Sequence, residues 1–244
     1  MTAHARRAAE SGLDRVIVAG GDGAVHYALQ GLAGSDCALG IVPVGSGNDL
    51  ARALGIDPDP GVALRRALEG TAKAIDLGRI GDRVFAGVVG LGIDGDVCRL
   101  VQEQASWLPG SAAYAYAALR SLIGFRPPHL RVEYEGGSYE GRVLLAGLAN
   151  SPLFGGGMRI APGAVLDDGW LDLVIVEQVP LPTLLRVFPR VYRGRHLSHP
   201  AVHCARVRRA TFHADPPRTF YADGEPLMDS CDTPTMCSWL AASA

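Results

Sequence analysis

No stretch of ~18 apolar residues occurs in this 244-residue chain, so a bilayer-spanning helix is not expected. The opening "MTAHARRAAESG" lacks the apolar centre of a secretory signal, so none is expected there. Cysteine is sparse. Cys37, Cys98, Cys204, Cys231 and Cys237 are scattered, odd in number, and form no Cys-x-x-Cys pair. That spacing argues against a disulfide framework and a zinc ribbon, and the expected compartment is a reducing cytoplasm. Excess basic charge is also missing. Lys plus Arg number 23 against 25 Asp plus Glu, a formal net charge of -2. With no nucleic-acid-binding motif either, a nucleic-acid partner is not expected. There is no internal repeat and no low-complexity segment. What is present is 48% hydrophobic and 20% charged residues, an ordinary globular composition on a chain long enough to bury a core.

The apolar run "DRVIVAGG" is closed by glycines and predicts a short buried strand. "AVHYALQGLAG" predicts a helix, with Val25, Ala28, Leu29 and Leu32 on one stripe and Gly34 as a stop. "CALGIVPVGSGN" followed by "NDLARALGI" repeats the plan, and "DPGVALRRALEG" adds a further helix. Strands alternating with helices imply a parallel α/β sheet. "KAIDLGRIGDRVFAGVVGLGID" predicts a hairpin turning at Gly-Asp, and two helices are expected around Asp96–Gln104 and Ser111–Gly124. Strands dominate from Leu130 onward, in "LRVEYEGGSYEGRVLLAGLAN", "WLDLVIVEQ", "AVHCARVRRATFHA" and "RTFYADG". The expected fold class is therefore α/β plus all-β. Residues 1–74 form an α/β domain, 75–230 a β-rich domain, and 231–244 an atypical tail.

The chemistry concentrates in two strand-to-helix turns. In "VIVAGGDGAV", glycines let the backbone approach a phosphate while helix N–H groups point at it. Asp22 would repel that phosphate unless a cation lay between them, so it points to phosphate plus magnesium, or to an acid acting on a hydroxyl beside a phosphate. The bland alternative is a tight turn with Asp as helix cap. "PVGSGNDLAR" is a second such turn. Consecutive turns of a parallel sheet open on the same edge, so Asp22, Ser46, Asn48 and Asp49 are expected to face one cleft.

"GGDG", "PVGSGNDLAR", "FGGGMRIAPGAVLDDGWLDLVIV" and "YADGEPL" occur in the order and spacing of the bacterial diacylglycerol kinase-like lipid kinases, which share a catalytic domain with sphingosine kinases. The chain resembles that family from about Ala8 to Leu227. The resemblance implies an NAD kinase-like nucleotide domain, a C-terminal β-sandwich, an active site between them, and transfer of the ATP γ-phosphate to a lipid hydroxyl such as that of diacylglycerol. Gly20, Gly21, Asp22 and Gly23 match the nucleotide loop, and Ser46 a phosphate-contacting hydroxyl beside Asn48. Asp49 matches an acid near the reacting centre. Asp168 matches a magnesium ligand, Val165 and Trp170 offer backbone carbonyls to the ion, and Asp76 reaches it through water. Glu225 matches the general base. ATP and Mg2+ are the implied cofactors. The implied partners are a lipid and, peripherally, a membrane surface; a homodimer is compatible with the sequence. An NAD kinase-type enzyme with a soluble substrate shares GGDG, but "GSGND", "LDDG" and "DGE" argue against it. A relative that binds nucleotide or lipid without turnover is the other alternative.

Three features depart from the family pattern. Ala24 stands where threonine is usual. The family's opening βα unit, with its Asn-Pro-x-Ser-Gly turn, is not found in these residues, so the sheet is expected to carry an uncovered edge. The tail "MDSCDTPTMCSWLAASA" does not resemble the strand that usually returns to the first domain. Elsewhere, seven arginines and no acid occur between Pro180 and Ala214. There, "LPTLLRVFPRVYRGRHL" suits docking on anionic lipid, or else is a solvated helix packed on the sheet. The apolar positions of "SAAYAYAALRSLIGF" suit a lipid pocket or ordinary packing.

Overall fold

The computed structural model describes residues 1–104, 110–122, 124–227 and 235–241. Its first part alternates helix and strand: α1 (Thr2–Glu10), β1 (Arg15–Gly20), α2 (Asp22–Leu32), β2 (Ala38–Pro43), α3 (Asp49–Ala53) and α4 (Pro60–Glu69). β1 and β2 pair in parallel from Arg15↔Ala38 to Gly20↔Pro43, so both end at the same edge. This is the geometry expected of two consecutive βα turns. β1 has no second strand partner among the described residues. Asp59 caps α4, accepting from the N–H groups of Gly61 and Val62 at 2.8 and 2.9 Å. The Arg15 guanidinium reaches the other end of the same helix and donates to the carbonyls of Ala67 and Gly70.

A hairpin follows, β3 (Asp76–Ile80) and β4 (Arg83–Phe85), turning at Gly81 and Asp82 with Gly81 at φ 58°. Then come β5 (Val88–Gly92), α5 (Ile93–Gln104) and α6 (Gly110–Ser121). The rest is strand-rich: β6 (His129–Tyr134), β7 (Gly137–Ala149), β8 (Leu171–Glu177), α7 (Leu181–Val191), β9 (Val202–Val207), β10 (Arg209–Asp215), β11 (Tyr221–Ala222), β12 (Glu225–Pro226) and β13 (Thr235–Ala241). The thirteen-residue β7 pairs with β6 near its start and with β5 and β8 near its end, which joins two layers of antiparallel strands. Between the layers lies a core that includes Phe85, Leu91, Leu130, Leu148, Leu171 and Phe212.

The run "AVHCARVRRATFHA" makes two strands that do not pair with each other. β9 pairs with β8, and β10 with β6 and β13. The chain leaves one layer for the other at Arg208. Residues 235–241 of the tail form β13, hydrogen-bonded between β10 and β3. The two parts of the molecule share a core: Leu77 and Val84 of the hairpin, with Leu166, pack among Val25, Leu29 and Leu32 of α2.

Candidate active site

The two glycine-rich turns touch. A Cβ on Gly45 would overlap Gly21 Cα, so the close approach of the turns needs both glycines. Asn48, at φ 55°, locks the second turn. Its side chain accepts from Gly45 N–H at 3.0 Å and donates to Gly45 C=O at 2.7 Å. Its role here is to shape the loop, while Ser46 stands exposed at the loop tip.

Asp22 and Asp49 come together as expected. Asp22 is the first residue of α2, with Gly21 at the cap position, and accepts from Leu50 N–H at 3.3 Å. Asp49 is buried, with one oxygen accepting from Gly156 N–H at 2.7 Å and the other without a hydrogen-bond partner. Its ion pair with exposed Arg52 is long, 3.9 Å. Burial, then the nearby Asp49 and Asp223 charges, push Asp22 up to about 6. Burial also raises Asp49. The cleft therefore holds more negative charge than its own residues neutralise.

Glu225 opens β12 of the β11–β12 hairpin. Its carboxylate accepts from Tyr27 O–H at 2.9 Å and lies so close to Gly23 that a Cβ there would overlap it. The sequence reading missed Asp223, two residues earlier. Asp223 accepts from Ala86, Gly87 and Val88 N–H at 3.2, 2.8 and 3.2 Å, and pairs with buried His26 Nδ1 at 3.0 Å. The one available signal was the Asp-Gly turn in "YADGE"; His26 and Tyr27 carried none.

The expected metal-binding residues cluster in the turn before β8. Asp76 is buried and accepts from Gly169 N–H at 2.7 Å, while its own N–H donates to Leu166 C=O at 2.6 Å. Asp168 accepts from Trp170 N–H at 3.0 Å and pairs with Arg206, whose guanidinium also lies over the Trp170 ring beside that of Arg208. Val165 is exposed in the same turn. Among the described residues no group of three or more His, Cys, Asp or Glu could hold a metal ion. Elsewhere in the cleft, Asp22 and Asp49 also lack a close neutralising partner, and one Asp49 carboxylate oxygen has no hydrogen bond.

The acid cleft is lined by Asp22, His26, Asp49 and Asp223, and also by Cys98 and Phe154. Those last two residues also line an adjoining apolar cavity of about 130 Å³ between α5, α6, α7 and the end of β7. Ala118, Leu119 and Leu122 of the expected apolar stripe face it, as do Leu184, Val187, Phe188 and Val191 of α7.

Residues 1–80 match the family model described as the diacylglycerol kinase catalytic domain. Residues 87–238 match the YegS C-terminal NAD kinase beta sandwich-like domain. A diacylglycerol kinase of Mycobacterium tuberculosis is 37% identical over 229 residues, covering 89% of this chain and 72% of that protein. One of Bacillus subtilis is 30% identical over 224 residues, covering 91% and 74%. In fold, a crystal structure of a diacylglycerol kinase from Bacillus anthracis superposes with a TM-score of 0.74 at 21% identity, covering 99% of this chain and 78% of that one.

Proposed function

This chain belongs to the diacylglycerol kinase-like family and is an ATP-dependent lipid kinase, and from that premise we propose that it phosphorylates the hydroxyl of diacylglycerol or a close lipid alcohol in the cleft between Asp49 and Glu225. One observation carries this reading: the acid cleft and the apolar cavity share Cys98 and Phe154. A lipid with its chains in the cavity presents its hydroxyl to the acids. A soluble dinucleotide substrate has no use for such a cavity, which disfavours the NAD kinase-type alternative.

The phosphoryl group is gripped rather than attacked by the protein. The glycine turns of Gly20, Gly21, Gly23 and Ser46 bring backbone N–H groups and a hydroxyl toward the nucleotide phosphates. Glu225 takes the proton as the lipid oxygen bonds to the γ-phosphorus, and the bond to the β-phosphate oxygen breaks to release ADP. Tyr27 and Gly23 hold Glu225 in place. Mg2+, when bound, neutralises phosphate charge. Asp168, the carbonyls of Val165 and Trp170, and Asp76 through water would hold it, with Asp168 exchanging its Arg206 partner for the ion, and Asp22 and Asp49 would add unneutralised carboxylates in the same cleft. A peripheral position at the membrane follows from a substrate dissolved there.

The test is phosphate transfer from labelled ATP to diacylglycerol and, separately, to NAD. Glu225→Gln should lower turnover on the lipid by about 100- to 10,000-fold while leaving ATP affinity within twofold. Near-full turnover of the variant, or a parent enzyme that labels only NAD, refutes the reading.

A further inference from the structure

Helix α7 has no buried residue. Leu184, Val187, Phe188 and Val191 follow the helical i, i+3, i+4, i+7 spacing, and all four line the apolar cavity. One face of α7 therefore roofs the cavity. The rest of the helix is turned to solvent: Leu181, 53% exposed, and Leu185, 48% exposed, border the cavity stripe, and exposed Arg186 and Arg190 lie beyond them. Arg193 and Arg195, just beyond the helix, are exposed too. None of these four arginines makes an ion pair with a described residue. Between Glu177 and Asp215 the chain contains no acid at all. On neighbouring α6, Leu119 lines the cavity and is also 44% exposed, so the cavity reaches the surface beside this patch.

We propose that the outward face of α7, with Leu181 and Leu185 flanked by Arg186, Arg190 and Arg193, docks on an anionic lipid bilayer and sets the mouth of the cavity against it. The charge decides the occupant. Unpaired arginines around exposed leucines match phospholipid headgroups over acyl chains, the pattern of a helix lying in the interface plane. A second copy of this chain would set arginine against arginine. Nucleic acid would leave the leucines without a partner. The inference rests on the lipid-kinase reading only for the meaning of the cavity.

Sedimentation with vesicles of phosphatidylcholine alone, or with one third phosphatidylglycerol, reads the docking without turnover. The protein should bind the anionic vesicles, and raising the salt should release it, because exposed charge is screened within ~8 Å at physiological ionic strength. Replacing Arg186, Arg190 and Arg193 together with Gln should weaken binding by about 5-fold per arginine, on the order of 100-fold in all. Leu181→Ser with Leu185→Ser should weaken it while sparing the salt dependence. Turnover on a short-chain diacylglycerol in neutral detergent should stay at the parent rate in every variant. Vesicle binding without turnover would refute the kinase reading alone; turnover without vesicle binding would refute the docking alone. Equal binding to neutral and anionic vesicles overturns the docking. So does undiminished affinity of the triple variant. Salt-insensitive binding by the parent protein overturns it even if the variant fails to fold. A short DNA duplex that binds as tightly as the vesicles and displaces them would mark the face as one for nucleic acid.

Discussion

Replacing Asp22 with Asn should stabilise the protein, and the gain should depend on pH. The Asp22 carboxyl titrates at about 6 in the fold against 3.8 when free. Between those values the folded state holds a proton that the unfolded chain has lost. Stability therefore falls as pH rises through that window. Below 3.8 nothing is lost, and above 6 the whole penalty is present. The interval from 3.8 to about 6 is equivalent to about 3 kcal/mol, at 1.36 kcal/mol per pH unit. Asn keeps an oxygen to accept from Leu50 N–H and carries no charge, so it escapes the penalty. Urea unfolding should find Asp22→Asn about equal to the parent at pH 3.8 and about 3 kcal/mol more stable at pH 7.5. Thermal midpoints should separate by about 6–12 °C at the higher pH. Magnesium and ATP should close the gap by stabilising the parent more than the variant. A gain that is flat with pH, or absent at pH 7.5, would refute the claim that the cleft stores unneutralised charge.

Two further substitutions probe the same cleft. Gly23→Ala should hold or raise stability, since Ala exceeds Gly in a helix by about 1 kcal/mol, yet push Glu225 aside and cut turnover by ~100-fold; steady-state kinetics with a melting curve checks both, and unchanged turnover would remove Glu225 from the reaction. Arg206→Gln frees Asp168, and because an exposed pair is worth at most about 1 kcal/mol, the magnesium giving half-maximal rate, and the metal affinity by titration, should improve by about 2- to 5-fold; an unchanged or higher requirement would place the ion elsewhere.

The parts of this molecule that the sequence made legible are those in which local signals agree. Val16–Gly20 is an apolar run cut by glycines and followed at once by a helical stripe, so β1, its turn and α2 could be read together. The Gly81–Asp82 hairpin was legible for the same reason. What failed depends on distant partners. The break at Arg208 exists because β8 and β6 lie in different layers, which no local pattern records. The tail was set apart because it does not resemble the family's returning strand; its residues 235–241 pair with β3 and β10 from far along the chain. The sequence showed α7 as basic and amphipathic, but what its apolar side packs against, the cavity lined by α5 and α6, was not legible.

Asp223 shows how the proposed reaction can depend on an acid whose carboxylate is taken up by the fold itself. The hairpin carrying Glu225 consists of two-residue strands, too short to be stable alone. Its turn holds Asp223 and Gly224 at φ 52° and 87°, the double left-handed turn that Asp-Gly favours. This turns the Asp223 carboxylate onto three successive N–H groups, those of Ala86 and Gly87 in the β4–β5 link and of Val88 at the start of β5. His26 supplies the fourth contact, from the other side of the cleft. The orientation of Gln30 is fixed because its amide pairs both ways with Val84, at 2.7 and 3.1 Å, so its N–H group faces His26 Nε2. That leaves the ring proton on Nδ1, pointing at Asp223. Gln30, His26 and Asp223 thus form one line from α2 to the hairpin, and Tyr27 adds a parallel contact to Glu225 itself. With Asp49 bound to Gly156, the α/β part reaches the β-rich part at both walls of the cleft. Glu225, the proposed proton acceptor, and the cleft acids Asp22 and Asp49 belong to different parts of the fold, so their spacing is set by these bridges.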